Sequence, residues 1–275
     1  MARKSMSLPQ RIVMYILLVL FAIVFFGPFL IMILGSLKEM RTFHADPRFL
    51  IPNDISLANY EFIFTRGPIL RWLFNSAVIT VIPVLSQIFL CTLLGYIFAK
   101  KQFKGKEIIF WTMMAMVMIP KQLLIIPHYI MYSWFDWINT YYPLIVPELW
   151  AIMGVFLLRQ FMQSIPNELE EAAYMDGAGD FRIFFKIIMP LSVPAMATVG
   201  TFAFIGNWND LFTPLIFMTS EEMYTVTVGI TSLLNREGNF GVEMAAAAVS
   251  FLPTFLIFLF FQRYFTEGIS LSGLK

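Results

Sequence analysis

The chain has 275 residues, of which 59% are hydrophobic and only 13% charged, with a formal net charge of +1. A water-soluble domain carries about 25% charged residues, so the composition excludes an ordinary soluble core, and the near-zero charge gives no electrostatic case for nucleic acid. Lipid is the solvent that fits. There only helices or closed barrels satisfy their own backbone, and the long unbroken apolar runs select helices over the short alternating strands of a barrel.

Six segments approach the roughly 20 apolar residues that a membrane span needs. The first runs from Ile12 to Leu37. Its basic flank (Arg3, Lys4, Arg11) resembles that of a signal peptide, but the apolar stretch exceeds the usual run of about 7–15 residues and no A-x-A site follows, so an uncleaved span is expected. The long segment Lys38–Arg71 mixes basic residues with Glu39, Asp46, Asp54 and Glu61 and is expected to carry a small amphipathic element. The second span runs from about Trp72 to Ala99, the third from Ile108 to about Tyr132, and the fourth from Pro143 to about Met162. The fifth runs from about Leu191 to Met218 and the sixth from about Met244 to Phe265. Prolines 83, 120, 127, 147, 194, 214 and 253 fall in or near spans, where neighbouring helices absorb kinks.

Lys and Arg orient the set. The loop Lys100–Glu107 packs four lysines into eight residues, whereas Ser133–Tyr142 has none. Both termini are therefore expected in the cytoplasm. The expected fold is an all-α integral membrane protein with six transmembrane helices, N-in and C-in, as one permease domain over residues 1–275. Its core spans cover about 72–265, with the span at about 12–37 as an addition.

Catalytic signatures are missing. The single Cys91 lies in an apolar run, the only histidines are His44 and His128, and neither HExxH nor GxSxG occurs. A P-loop is missing too, since Gly268…Gly273-Leu274-Lys275 misplaces the lysine by one and nothing follows it. The chain is read as a non-enzyme that binds no metal or cofactor itself.

The segment QSIPNELEEAAYMDGAGDFRIFFKIIMPLSVP, Gln163 to Pro194, is the largest cytoplasmic piece on this topology. Pro166 suits a first helical position, and Glu168, Glu170 and Glu171 suit a first turn, where negative charge meets the helix dipole. Gly177 suits a C′ position with φ > 0, and Asp180 suits a cap for a second helix, Phe181 to Met189, ended by Pro190. Two short helices around a glycine corner result. They either lie on the inner bilayer face through Phe181, Phe184, Phe185, Ile187 and Ile188, or project as a docking knob. The anatomy is that of a DNA-binding helix-turn-helix, but five carboxylates outnumber Arg182 and Lys186.

EAAYMDGAGDFRIFFKIIMPLSVP closely resembles the signature loop of binding-protein-dependent ABC importer permeases: EAA, two residues, DGA, then a hydrophobic stretch ending in LP and a nearby proline. Glu171, Ala172, Ala173, Asp176, Gly177, Ala178, Pro190 and Pro194 match, and Met189 stands where Leu is usual. NWNDLFTPLIFM (Asn207–Met218), YTVTVGI (Tyr224–Ile230) and QRYFTEGISLSGLK (Gln262–Lys275) resemble the carbohydrate branch, specifically the smaller maltose-type permease, the last as a partial match. The resemblance implies a permease subunit that moves a sugar or oligosaccharide into the cytoplasm across a bacterial inner membrane. It implies a coupling helix (Glu170, Glu171, Ala172, Ala173, Asp176, Gly177, Ala178) docked on a cytosolic ATPase. It also implies a tail with Gly268, Gly273 and Lys275 near the ATPase dimer. Implied partners are a second homologous permease, two ATPase subunits holding ATP and Mg, an extracytoplasmic solute-binding protein and membrane lipid. Glycerol phosphate or another sugar derivative is the alternative cargo, and a stand-alone secondary transporter the alternative class.

Polar groups inside a bilayer are costly and often functional. Lys121 and Glu148 either pair with each other or line the path. Asn207, Trp208, Asn209 and Asp210 offer hydrogen bonds and an aromatic face, as sugars require, or serve as interhelical glue. Asn207 and Asp210 share one helix face with Ala203 and Phe204, which is expected to meet the path, with Trp208 and Asn209 turned toward protein; a break near Pro214 would change that.

Overall fold

The computed structural model describes residues 8–38, 55–237 and 239–272, with side chains described for 8–38, 55–235 and 239–263. The described residues are helical and fall into two units. Four helical stretches are long and apolar enough to cross a membrane: Leu8–Ser36, Ile69–Lys100, Tyr142–Gln163 and Phe240–Arg263. Two bent pairs, Lys106–Met116 with Lys121–Trp134 and Asp180–Leu191 with Val193–Trp208, raise the number to six if each counts as one span.

The first unit comprises residues up to Pro68 together with Ile230–Phe251. Helix α1 (Leu8–Ser36) presents exposed Leu, Ile, Val and Phe along most of its length, the surface of a helix solvated by lipid. Its C-terminal carbonyls are claimed by α2 (Ala58–Arg66), the small element expected between the first two spans. Buried Asn59 donates from Nδ2 to the carbonyls of Ser36 (2.9 Å) and Lys38 (2.5 Å), satisfying groups that a helix end leaves orphaned. Ser36 Oγ and Tyr60 Oη lie 2.8 Å apart.

The second unit holds Ile69–Gly229 and residues from Leu252 onward. Its spine is α3 (Ile69–Lys100), packed against α7 (Ile152–Gln163) and α11 (Val193–Trp208). Small residues permit the close approach. A Cβ at Gly95 would lie 2.8 Å from Leu158 Cβ, and one at Gly200 would lie 2.8 Å from Ile88 Cδ1. The N-terminal end of α3 carries buried polar groups that tie down a distant loop. Asn75 Nδ2 donates to the carbonyls of Glu222 and Tyr224 (both 2.8 Å), Asn75 Oδ1 accepts from Tyr141 Oη (2.7 Å), and Trp72 Nε1 donates to the Glu221 carbonyl (2.9 Å).

Three expected spans depart from straight rods. The third splits into α4 (Lys106–Met116), a 3₁₀ turn (Lys121–Leu124) and α5 (Ile125–Trp134), bent by 85°. Val117, Met118 and Ile119 wind down on i→i−3 bonds, and Pro120 is extended and has no N–H with which to continue. The fourth begins as α6 (Tyr142–Ile145) and a 3₁₀ turn (Val146–Glu148) before α7. The fifth starts at Val193 rather than Leu191 and stops at Trp208; α12 (Phe212–Phe217) follows a break at 209–211. Helices α13 (Val226–Glu237) and α14 (Phe240–Ser272) complete the order.

Candidate functional site

The loop between the fourth and fifth segments folds into the expected two-helix knob. Helix α8 (Glu168–Met175) begins two residues later than Pro166 and places Glu168, Glu170 and Glu171 in its first turn. Gly177 takes φ +76°, the left-handed corner foreseen for it. The second helix runs Asp180–Leu191, as α9 (Asp180–Ile183), a π turn (Phe184–Ile188) and α10 (Met189–Leu191), so Pro190 does not end it. The widened turn precedes Pro190 and absorbs the register that its missing N–H would break. Asp180 is not the cap; Gly179 holds that place without a side-chain bond. Of the five apolar residues considered for the bilayer surface, Phe184 and Ile188 are buried in the protein, Ile187 partly so, and Phe181 and Phe185 stay exposed.

The expected coupling set divides by helix phase. Glu170 and Ala173 are buried and Ala178 is half-buried, while Glu171, Ala172, Asp176 and Gly177 lie open, beside Met175 at 89% exposure. The buried side meets the lysine-rich loop. Lys100 Nζ donates to the Ile165 carbonyl (2.5 Å) and Asn167 Oδ1 (2.7 Å), and Lys101 Nζ donates to Tyr174 Oη (2.7 Å) and Asp180 Oδ1 (2.9 Å). Partial burial works against the Lys101 charge, but the bonds to Asp180 and Tyr174 outweigh it and hold the ammonium above the ordinary lysine range. Nearby, buried Arg159 reaches Glu107 (3.1 Å) and the Phe98 carbonyl (3.2 Å), with its guanidinium 4.0 Å from the Phe110 ring centroid.

The polar groups of the span interior meet around a cavity of about 750 Å³. Lys121, Glu148, Asn207 and Asp210 all line it, so four residues singled out in sequence from three segments converge; Gln87 and Gln122 join them. The volume lies within the ~300–1,000 Å³ typical of small-ligand sites. Lys121 and Glu148 form the anticipated ion pair, Nζ–Oε1 2.5 Å. Gln87 Nε2 donates to the Glu148 carbonyl at 2.7 Å. Asp210 sits in the helix break, where Oδ1 accepts from the N–H groups of Phe212 (3.0 Å) and Thr213 (3.2 Å). Asn207 Nδ2 is buried and has no hydrogen-bond partner among the described residues.

The face assignment needs two corrections. Ala203 lines the cavity as expected, but Phe204 turns inward and stacks on buried Trp208 with centroids 5.6 Å apart. Asn209 is exposed instead of packed on protein, its Nδ2 bonded to the Ile205 carbonyl (2.8 Å). Phe204 follows the phase of the intact helix, which puts it four residues from Trp208 on the inward face and about 100° from Ala203, whereas Asn209 lies past the helix end at Trp208, where that phase no longer holds. Gln87 was missed; a lone glutamine in the middle of an apolar span was the available signal. Gly268 falls within α14 with its surroundings outside the described side chains, and Gly273 and Lys275 lie outside the described residues.

Residues 91–271 match the family described as binding-protein-dependent transport system inner membrane component. The chain is 31% identical over 274 residues to the arabinooligosaccharides transport system permease protein AraQ of Bacillus subtilis, covering 96% of each chain. It is 30% identical over 273 residues to the trehalose/maltose transport system permease protein MalG of Thermococcus litoralis, covering 97% of each. Its fold is similar to a chain of a bacterial ABC transporter involved in import of the acidic polysaccharide alginate, with a TM-score of 0.82, 21% identity, and coverage of 96% of this chain and 100% of that one.

Proposed function

We infer the function from one premise: the chain belongs to the family of inner membrane components of binding-protein-dependent transport systems. It is a multi-pass membrane protein and a permease of the ABC carbohydrate type. In the reading proposed here it moves a sugar or oligosaccharide into the cytoplasm. It works beside a second homologous permease, with two cytosolic ATPase subunits that hold ATP and Mg and an extracytoplasmic solute-binding protein. The observation that carries this reading is the knob: a two-helix projection fastened on one side, with Glu171, Ala172, Met175, Asp176 and Gly177 left bare on the other. A small, acidic, rigid face of this kind suits a cleft in a basic partner. Six spans with both termini inside follow from the lysine cluster next to the knob, as one permease domain, with the tail directed to the ATPases.

The cavity supports a neutral, hydroxyl-rich cargo. Its charged lining is one cation, Lys121, against two carboxylates, Glu148 and Asp210, and the cation is already paired. A phosphate ester would want uncommitted Arg or Lys there. The test is reconstitution in vesicles. ATP-driven uptake of labelled oligosaccharide should require this chain, its partner permease and the ATPases together. Gradient-driven uptake by this chain alone, without ATPase, would establish a secondary transporter in place of this reading.

A further inference from the structure

Glu170 and Glu171 are adjacent in sequence and opposite in the fold. Glu170 is 7% exposed, whereas Glu171 stands on open surface. Tyr96 Oη donates to Glu170 Oε2 at 3.1 Å, Lys101 Nζ lies 3.7 Å from Oε2, and Lys100 Nζ lies 3.9 Å from Oε1. The two lysines reach onward to three stations of the knob: Ile165 and Asn167 before α8, Tyr174 within it, and Asp180 at the start of α9. Tyr174 Oη also donates to Asp180, and Lys101 lies 4.8 Å and 5.4 Å from the ring centroids of Tyr96 and Tyr174. Burying the Lys100 and Glu170 charges is costly unless they fix a geometry. A knob that had only to be present at the membrane surface would not need anchors at its entry, middle and exit. Tyr96 and Lys100 belong to the end of α3 and Lys101 follows it directly, and α3 runs unbroken from Lys100 to Gln87 on the cavity wall, roughly 20 Å at 1.5 Å per residue.

We propose that Glu170, Lys100, Lys101, Tyr174 and Asp180 form an internal clamp that makes the knob and α3 a single lever, so that displacement of the knob is delivered to the cavity wall. Glu170 and its partners are positioning residues, and only the face bearing Glu171 meets the ATPase. The clamp rests on the coupling reading above.

The test uses the full chain in its assembled transporter, with Cys91→Ser and spin labels on cysteines placed at 104 and at exposed position 182 in the second helix of the knob, away from the face bearing Glu171. In the unaltered clamp the distance distribution between labels is narrow. Glu170→Gln broadens it and lowers solute transported per ATP hydrolysed by roughly tenfold or more, the population change that loss of a charge-assisted bond implies. The ATPases still co-purify. Lys101→Gln, at a partly exposed site, repeats the effect and guards against simple misfolding of the first variant. A distribution as narrow as wild type, unchanged transport per ATP, or loss of ATPase co-purification in Glu170→Gln overturns the clamp. Glu171→Ala separates the two readings: it should weaken co-purification while keeping the narrow distribution. Full co-purification and uptake in that variant would remove the coupling reading, whereas the distance measurement judges the clamp independently.

Discussion

Asp210 holds two positions at once, and two substitutions separate them. Its Oδ1 caps α12 through the Phe212 and Thr213 N–H groups, and its carboxylate lines the cavity. Asp210→Ala removes the cap, which costs about 1 kcal/mol and up to ~2 at tight sites. Asp210→Asn keeps an oxygen where the cap needs it and removes the charge. If the carboxylate also accepts from a cargo hydroxyl, losing that charged acceptor costs roughly 1.5–3 kcal/mol, about 10- to 150-fold in affinity. The assay is uptake of a panel of oligosaccharides by the assembled transporter, with the unfolding midpoint in detergent measured on the same preparations. Asp210→Ala should lower both midpoint and uptake; Asp210→Asn should leave the midpoint near wild type and still weaken uptake or change cargo preference. Wild-type transport of the whole panel by Asp210→Asn, together with failure of Asp210→Ala, would reduce Asp210 to a helix cap and refute the cargo role.

Three further outcomes are expected. Asn207→Ala removes a buried donor that has no partner among the described residues, and an unsatisfied group costs about 1–3 kcal/mol; the variant should unfold no earlier than wild type yet transport less, and unchanged uptake across the panel would assign the residue a structural place. A Cβ at Gly177 meets no atom within 4 Å, so the first cost of Gly177→Val is the backbone strain of φ +76°, about 1–2 kcal/mol for an L residue; uptake should fall in Gly177→Val and persist in Gly177→Asn, which tolerates that region. A cysteine at Lys104 should react with a membrane-impermeant thiol reagent only in inside-out vesicles, and labelling of intact cells would invert the topology.

Much of the fold was legible because lipid imposes strict demands on sequence. Apolar length located the helices at 8–36, 69–100 and 142–163 to within a few residues. Where a helix would turn was less legible. Pro83 sits within α3, which continues through it, whereas Pro120 marks an 85° bend. Proline removes one donor in either place. At 120 the preceding turns have already relaxed to i→i−3 bonds, and Pro83 itself is buried within the packed helix. Sequence displays the proline but not the neighbours. Asn59 and Asn75 were overlooked for a related reason. Each satisfies carbonyls of a distant segment, and neither carries a local mark of that role.

The candidate site shows the same division between type and direction. Lys121, Glu148, Asn207 and Asp210 were identified because polar residues in apolar spans need a reason, and the structure brings all four to one cavity. Their directions depended on helix phase: within α11 Phe204 shares the inward face of Trp208 and not that of Ala203 and Asn207, and past the helix end at Trp208 Asn209 leaves the face assigned to it. The two glutamates of α8 make the point most sharply. Consecutive helical residues differ by about 100° in direction, so one of Glu170 and Glu171 had to face the protein and the other away from it. Composition, capping and motif treat them alike. What separates them is a pair of lysines some seventy residues earlier, read in sequence only as an orientation signal. The charge that made Lys100 and Lys101 an orientation signal also pairs them with Glu170 and Asp180 of the knob.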